Sequence, residues 1–383
     1  MDFDFSEDQL MLRDLAREFL NDRITVAHVR EMMESDEGFD KALYQQMVQL
    51  GLMPTPEQYG GSGFGLVETC IIMDEMGRHT YPGPFFASAV LAATALEQSG
   101  DENAMARYLP DLANGDLILT LAFLEASKEW TPATVQLKAE KTGDGYTLSG
   151  TKRFVPWAEQ SDVVLVAART GEGDGPEGIS LIAVPADADG LSMEREVMLD
   201  LNSRSATLNF DGVKVPAENL VGDEGNAWPA LDATIQRAAV AASAEMLGAS
   251  RQALDMSVEY AKVRKQFGQV IGQFQAVKHK LAEMLEQVEN SHAAVYYAAW
   301  ALETDAPDAM LAASIAKSSV NEASKQVCGE AIQVHGGIGF TWEYDLHLYW
   351  KRAKHQEVLY GSTDHHRERV LQEVLAGRTA VTV

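Results

Sequence analysis

Apolar positions recur along this chain at two spacings, and the spacing changes twice. From Ser6 to about Ala113 they return every three or four residues, the period of an amphipathic helix. Ser6-Glu7-Asp8-Gln9 has the form of a capping box, and Leu10, Leu12, Leu15 and Phe19 give the helix it opens an apolar stripe. Further helical patterns span about 40–50, 67–76, 87–99 and 102–113. Near Asp116 the pattern becomes alternating, and Val, Thr and turn residues replace helix formers. The runs 117–125, 135–155, 162–169, 179–185, 191–198 and 205–215 read as strands, with Gly143-Asp144-Gly145 as a hairpin signal between two alternating segments. From about Asn226 the helical period returns at greater length: near Trp228 to Arg264, Phe274 past Trp300, Pro307 to about Val334, then shorter helices after Glu343 and Thr363. The fold class expected is therefore α+β in three consecutive domains: an α-helical domain over 1–115, an antiparallel β-barrel or sandwich over 116–225, and a long-helix bundle over 226–383. Charged and apolar stripes along 278–302 leave several faces to bury, which implies an oligomer.

Composition narrows the function classes. With 46% hydrophobic and 23% charged residues over 383 positions, the chain has the make-up of a globular protein with more than one core. A net charge of −26 argues against nucleic acid and anionic membranes, which it would repel. No apolar run approaches a membrane span, and the acidic opening MDFDFSEDQ lacks the basic segment of a leader, so a cytoplasmic location is expected. Cys70 and Cys328 lie far apart in helical patterns and read as reduced core thiols. The glycines of 59–65 read as a tight interhelical turn, since neither a strand nor a Lys-Ser/Thr pair accompanies them. His365-His366 has no third ligand at a recognisable spacing, so no metal is expected and the pair reads as solvent-facing or close to a bound ligand. His279, His335 and His347 read as packing or supporting residues.

The densest chemistry is YAKVRKQFGQVIGQFQ, Tyr260 to Gln275, between two long helices. Arg264 could offer a forked donor to a pyrophosphate, or complement its helix dipole as a last-turn cation. Phe267 could pack on a flat ring system or belong to the core. The pattern Tyr-x-x-x-Arg-x-x-Phe-Gly followed by Phe-Gln resembles a signature of the acyl-CoA dehydrogenase family, and QVHGGIGFTWEYDLHLYWKRAK, Gln333 to Lys354, resembles the same family's other FAD contact. The order of helical, β and long-helix segments matches that family too.

The resemblance implies FAD as cofactor, an acyl-CoA substrate and an electron-transfer flavoprotein as partner. A carboxylate would take the α-proton while a hydride leaves the β-carbon for the flavin, and donors would steady the developing enolate. It further implies that Arg264, Phe267, Gln275, Gln333, Gly336, Gly337 and Thr363 surround FAD, some of them reaching the cofactor of a neighbouring subunit. Gly336-Gly337 can also be read as a helix C-cap and Gln333 as a solvated side chain.

The proton acceptor is where the chain departs from the family pattern. Many members carry a glutamate after a late Tyr, but in VLYGSTDHH the residue after Tyr360 is Gly361, whose backbone N–H could still serve a thioester oxygen. Others carry it on the helix upstream of the arginine motif, where Ala238 stands. The remaining candidate is Glu245, the only charged residue of AAVAASAEMLGAS, seven residues beyond Ala238 and about 10 Å further along a helix. With no cation near it in sequence it should have a raised pKa, and Gly248 one turn on would leave room for a ligand. The alternative is a glutamate paired with Arg237 or Arg251 of a neighbour.

The β-domain departs as well. The segments corresponding to the family's flavin-lining stretches are LAFLEASKEWTP, Leu121 to Pro132, and KRFVPWAEQSD, Lys152 to Asp162, in which Phe154-Val155-Pro156 lacks the family threonine but keeps a Val155 N–H. These departures resemble the bacterial branch acting on steroid side chains and dicarboxylic acids, sometimes as paired unlike subunits. They leave a homo-oligomer and a heterotetramer with a paralogous subunit both open, the second with this chain as a non-catalytic partner. A flavin oxidase or monooxygenase on the same fold is a further alternative.

Overall fold

The computed structural model describes residues 4–127 and 129–377. Helices α1 (Glu7–Arg23), α2 (Val26–Glu34), α3 (Lys41–Met47), α4 (Leu66–Arg78), α5 (Thr94–Ser99) and α6 (Glu102–Ala113) come first. Strands β1 (Leu119–Ala122), β2 (Lys138–Thr142), β3 (Gly145–Pro156), β4 (Val163–Arg169), β5 (Ile179–Pro185), β6 (Leu191–Arg195), β7 (Ser205–Pro216) and β8 (Leu220–Val221) follow. Then come α7 (Trp228–Val263), a hairpin of β9 (Lys265–Gln266) and β10 (Gln269–Val270), α8 (Gln275–Glu303), α9 (Ala309–His335), α10 (Leu346–Gln356) and α11 (Thr363–Leu375). The expected capping box is formed: Ser6 Oγ accepts from Gln9 N, and Gln9 Oε1 accepts from Ser6 N. Among the described elements, α2, the short β8 and the β9–β10 hairpin had no sequence counterpart.

Packing groups the chain into two compact units that draw on more than one of the three expected segments. One comprises Met32–Phe64 and Pro82–Ala238. Its centre is an eight-stranded sheet: seven strands follow the order β6-β7-β3-β2-β4-β5-β8 and β1 pairs with β4 off that path, all antiparallel except where β4 runs parallel to β1 and to the start of β2. Strands β2 and β3 are joined by Gly143-Asp144, with Thr142 opposite Gly145 and Gly143 in the left-handed region, φ 62°. Leu148, Val164, Val166, Ile182, Leu208 and Val213 fill its core. The glycine-rich 59–65 stretch begins as a tight turn in this unit, with Gly60 N donating to Glu57 O.

The other unit contains residues up to Glu31, Gly65–Tyr81 and the chain from Ala239 onward. Two glycines let α4 and α7 touch backbone to backbone: a Cβ on Gly77 would lie 2.0 Å from Glu245 O, and one on Gly248 would lie 1.8 Å from Asp74 O. The space at Gly248, expected for a ligand, is taken by α4. Leu247, Leu254, Met284, Val288, Val327 and Tyr349 form the core of the bundle. Both cysteines are free and buried. No helix among the described residues is long and apolar enough to cross a membrane.

Candidate functional site

The corner after α7 is a two-residue hairpin. Phe267 and Gly268 take φ of 52° and 81°, the turn conformation that matches the twist of β9 and β10, and Gln266 pairs with Gln269. Left-handed backbone is disfavoured for a bulky side chain, yet Phe267 occupies it and is 92% exposed, with the Phe274 ring 6.1 Å away. The core reading of Phe267 is thus corrected: its neighbours in the turn face solvent, so there is no interior for it to enter. Arg264 and Gln275 are also exposed, and among the described residues the Arg264 guanidinium makes no ion pair.

The second signature meets the first. The ring of His335 stacks on Tyr260 at 4.2 Å and lies 4.9 Å from Tyr344, tying the end of α9 to the end of α7. Beyond that stack Gln333, Gly336 and Gly337 line a cavity of about 800 Å³, with Phe340, Trp342 and Lys351 among its other walls. A Cβ on Gly336 or Gly337 would meet nothing within 4 Å, so the backbone is open to a close-lying group. Gly336 also caps α9, its N–H donating to Gln333 O and Ile332 O, so the C-cap reading holds alongside. Lys351 Nζ lies 4.6 Å over the Trp342 ring, which stacks on His347. An exposed aromatic and bare backbone at one cavity, with cations there and at the nearby corner, suit a ligand carrying both flat rings and phosphates.

Glu245, Gly361 and Thr363 lie elsewhere, around the turn from α10 to α11. Glu245 is buried as expected, 4% exposed, but it is not isolated. Its Oε1 accepts from Arg352 Nη1 and its Oε2 from Gln356 Nε2, while Arg352 Nη2 reaches Thr80 O at 3.4 Å and Tyr81 O at 3.3 Å. This corrects the expectation of a lone carboxylate: Glu245 is ion-paired with a guanidinium that is itself buried. Within the chain its guanidinium partner is Arg352 on α10, 107 positions away.

Beside this pair, Tyr360 has φ 56° and Gly361 φ 109°. A Cβ on Gly361 would lie 2.4 Å from His366 Nε2, so there is no room for a side chain. His366 is fully buried, correcting its solvent-facing reading. Its Nε2 donates to Tyr360 O at 2.9 Å, and burial, aided by the Lys317 charge, lowers its pKa to about 3. Ser362 caps α11 by accepting from His365 N, and Thr363 Oγ1 is buried with no hydrogen-bond partner among the described residues. Such an atom calls for a ligand or water. No cluster of metal-ligating side chains occurs among the described residues.

In the sheet-containing unit, the two flagged stretches are joined. Arg153 N donates to Leu124 O at 2.8 Å, and buried Lys152 Nζ donates to Phe123 O at 3.0 Å and Glu125 Oε1 at 2.7 Å. Burial lowers the Lys152 pKa to about 8 against the pull of Glu125. A register shift after Lys152 puts Phe154 at φ 52°, and Phe123 stacks on Trp130 at 5.3 Å. Lys128 of the first stretch lies outside the described residues.

Sequence reasoning missed Arg352, Gln356, Lys317 and Asn321. Lys317 and Asn321 carried a usable signal, a charge and an amide among the small residues of α9, the same cue that singled out Glu245.

The acyl-CoA dehydrogenase N-terminal, middle and C-terminal domain families match residues 6–116, 125–213 and 225–375. A probable acyl-CoA dehydrogenase of Bacillus subtilis, YngJ, is 32% identical over 382 residues, 98% of this chain and 100% of that one. The caffeyl-CoA reductase-Etf complex subunit CarC of Acetobacterium woodii is 30% identical, over 97% and 98% of the two chains. Among solved structures, the ChsE4-ChsE5 complex from Mycobacterium tuberculosis superposes with a TM-score of 0.87 at 28% identity, covering 98% of this chain and 99% of that one.

Proposed function

The chain belongs to the acyl-CoA dehydrogenase family, and we propose that it removes hydrogen from Cα and Cβ of an acyl-CoA thioester to give the trans-2-enoyl thioester, passing electrons on to an electron-transfer flavoprotein. It is an FAD-dependent oxidoreductase, as the family is. The observation that carries the reading is the exposed, left-handed Phe267 beside Arg264, which has no ion-pair partner among the described residues, an arrangement that costs conformational energy and gains nothing inside the fold.

The residues present fit the cofactor. Arg264 and Gln275 would hold the pyrophosphate, Phe267 would pack on a flat ring, Gln333 with the bare backbone at Gly336-Gly337 would take the adenine end, and the unpartnered Thr363 hydroxyl would donate. When bound, FAD supplies the two-electron acceptor. The chain's own part is to orient the acyl group, exclude water and offer the Gly361 N–H to the thioester oxygen as charge develops on it. We assign Glu245 to holding Arg352 and Gln356, because both of its oxygens are taken.

A second reading follows from that assignment: this chain is one of two unlike subunits, and completes the FAD site of a paralogue. Ala238 and Gly361 carry no carboxylate, Gly361 has no space for one, and Glu245 is engaged. The similarity to the ChsE4-ChsE5 complex supports a paired assembly. Flavin counting decides. Purified alone, the first reading expects one FAD per chain, bleached by acyl-CoA in the absence of oxygen. The second expects FAD and bleaching only after co-expression with a paralogue. A flavin-free protein in both preparations would refute both.

A further inference from the structure

The strained turn at Tyr360-Gly361 is braced by side chains of α9. Ser314, Lys317 and Asn321 recur three and four residues apart and share a face. The last carbonyls of a helix have no partner within it, and here buried donors supply them. Lys317 Nζ donates to Gln356 O at 2.7 Å and to Asn321 Oδ1 at 2.7 Å, and Asn321 Nδ2 donates to Glu357 O at 3.1 Å. His366 holds the next fixed point, Tyr360 O, with Ser314 Oγ 3.4 Å from its other nitrogen. Lys317 is 0% exposed, and no carboxylate lies within ion-pair distance of it among the described residues.

A buried ammonium without a counter-ion is expensive, and methionine would fill the same space without that cost. What Lys317 does that methionine could not is hold the carbonyl of Gln356, whose side chain also grips Glu245. We propose that Lys317 is a positioning residue for the reaction: by holding the end of α10 it keeps the Tyr360–Thr363 turn in the conformation that presents the Gly361 N–H and Thr363 hydroxyl. This rests on the reading that the turn receives thioester and FAD.

The brace has a pH signature. The groups facing Lys317 are Glu357, the residue capping α10, whose carboxylate is shared by Lys325 and Lys354, and His366 on α11, with His365 and Arg369 beyond it; Glu245 and Arg352 connect to it through Gln356. Burial lowers the Lys317 pKa from 10.5 to about 7, with Glu357 opposing. An opening that releases Nζ to water restores the ordinary value, so the open form binds the proton more strongly. Opening is therefore favoured at low pH and suppressed as pH rises above about 7.

Amide hydrogen exchange over residues 357–363 of the purified protein, corrected for the intrinsic rate, tests this between pH 6.5 and 9. The wild-type opening constant should fall by about tenfold per pH unit above the Lys317 midpoint. Lys317→Met should show faster, pH-independent opening there and a kcat/KM at least tenfold lower with FAD content unchanged. Lys325→Met, which loses only the 3.4 Å contact to the Glu357 side chain, should follow wild type in both respects. A wild-type opening constant that does not change with pH overturns the brace even if Lys317→Met cannot be purified, and so does a Lys317→Met protein with wild-type protection. Absence of acyl-CoA turnover in wild type would instead remove the functional reading, while the exchange result would still stand for the brace.

Discussion

Replacing Arg352 by methionine should be among the most damaging single changes in this protein. Arg352 and Glu245 are 3% and 4% exposed, so truncating the guanidinium leaves the Glu245 carboxylate in the bundle without its buried cation, while Gln356 still donates to it. Breaking a buried pair from one side costs about 3–5 kcal/mol. The contacts to Thr80 O and Tyr81 O, at 3.4 and 3.3 Å, are long and add little. That loss is a large share of a stability of ~5–15 kcal/mol, and it should appear as a drop of several degrees in the melting temperature of the purified protein. Adding Glu245→Gln removes the stranded charge and keeps an acceptor for Gln356, so the double variant should recover ~2 kcal/mol or more relative to Arg352→Met alone. Glu245→Gln by itself should keep FAD and be bleached by acyl-CoA within about tenfold of the wild-type rate, ~1.4 kcal/mol in the barrier. The reasoning fails if Arg352→Met melts with wild type, or if the double variant is no better than the single one. It fails equally if Glu245→Gln retains flavin but cannot be bleached, which would make Glu245 the proton acceptor after all.

Two further outcomes follow from single residues. Phe267→Ala removes a 92% exposed ring, so the flavin-free protein should melt within about 0.5 kcal/mol of wild type while its FAD dissociation constant rises at least about tenfold; equal affinity in an isothermal titration would remove Phe267 from the site. Burial raises the Asp74 pKa from 3.8 to about 6, with Arg251, Arg78 and the Tyr296 hydroxyl opposing. The folded protein therefore holds that proton better than the unfolded chain, and the stability so contributed is full below about pH 4 and lost as pH rises through 6. Asp74→Asn should gain on wild type by ~2 kcal/mol more at pH 8 than at pH 4, and a pH-independent difference in thermal melts would contradict this.

Much of the architecture is written locally in the chain. The capping box at Ser6, the hairpin at Gly143-Asp144 and the five long and short helices after Trp228 each depend on residues within a few turns of one another, and each forms about where the pattern put it. The corner signature was equally visible, though whether Phe267 turned inward or outward was not, because that depends on what surrounds a two-residue turn. Pairings across the bundle left no local trace. Glu245 looked isolated since Arg352 is 107 residues away, and Gly248 looked like room for a ligand because the helix that fills the space lies far back at Asp74. His366 looked exposed for the same reason: the carbonyl it holds belongs to a turn whose course is set by α9.

The claim underlying the whole account is that the Phe267 corner and the Gly336-Gly337 cavity exist to hold a flavin that an acyl-CoA can reduce. Anaerobic titration of the purified assembly with acyl-CoA thioesters, followed by visible absorption, addresses it directly. The account expects a yellow protein whose oxidised-flavin band disappears on adding a substrate and returns on adding an electron-transfer flavoprotein. A colourless assembly, or a bound flavin that no acyl-CoA reduces, would contradict it.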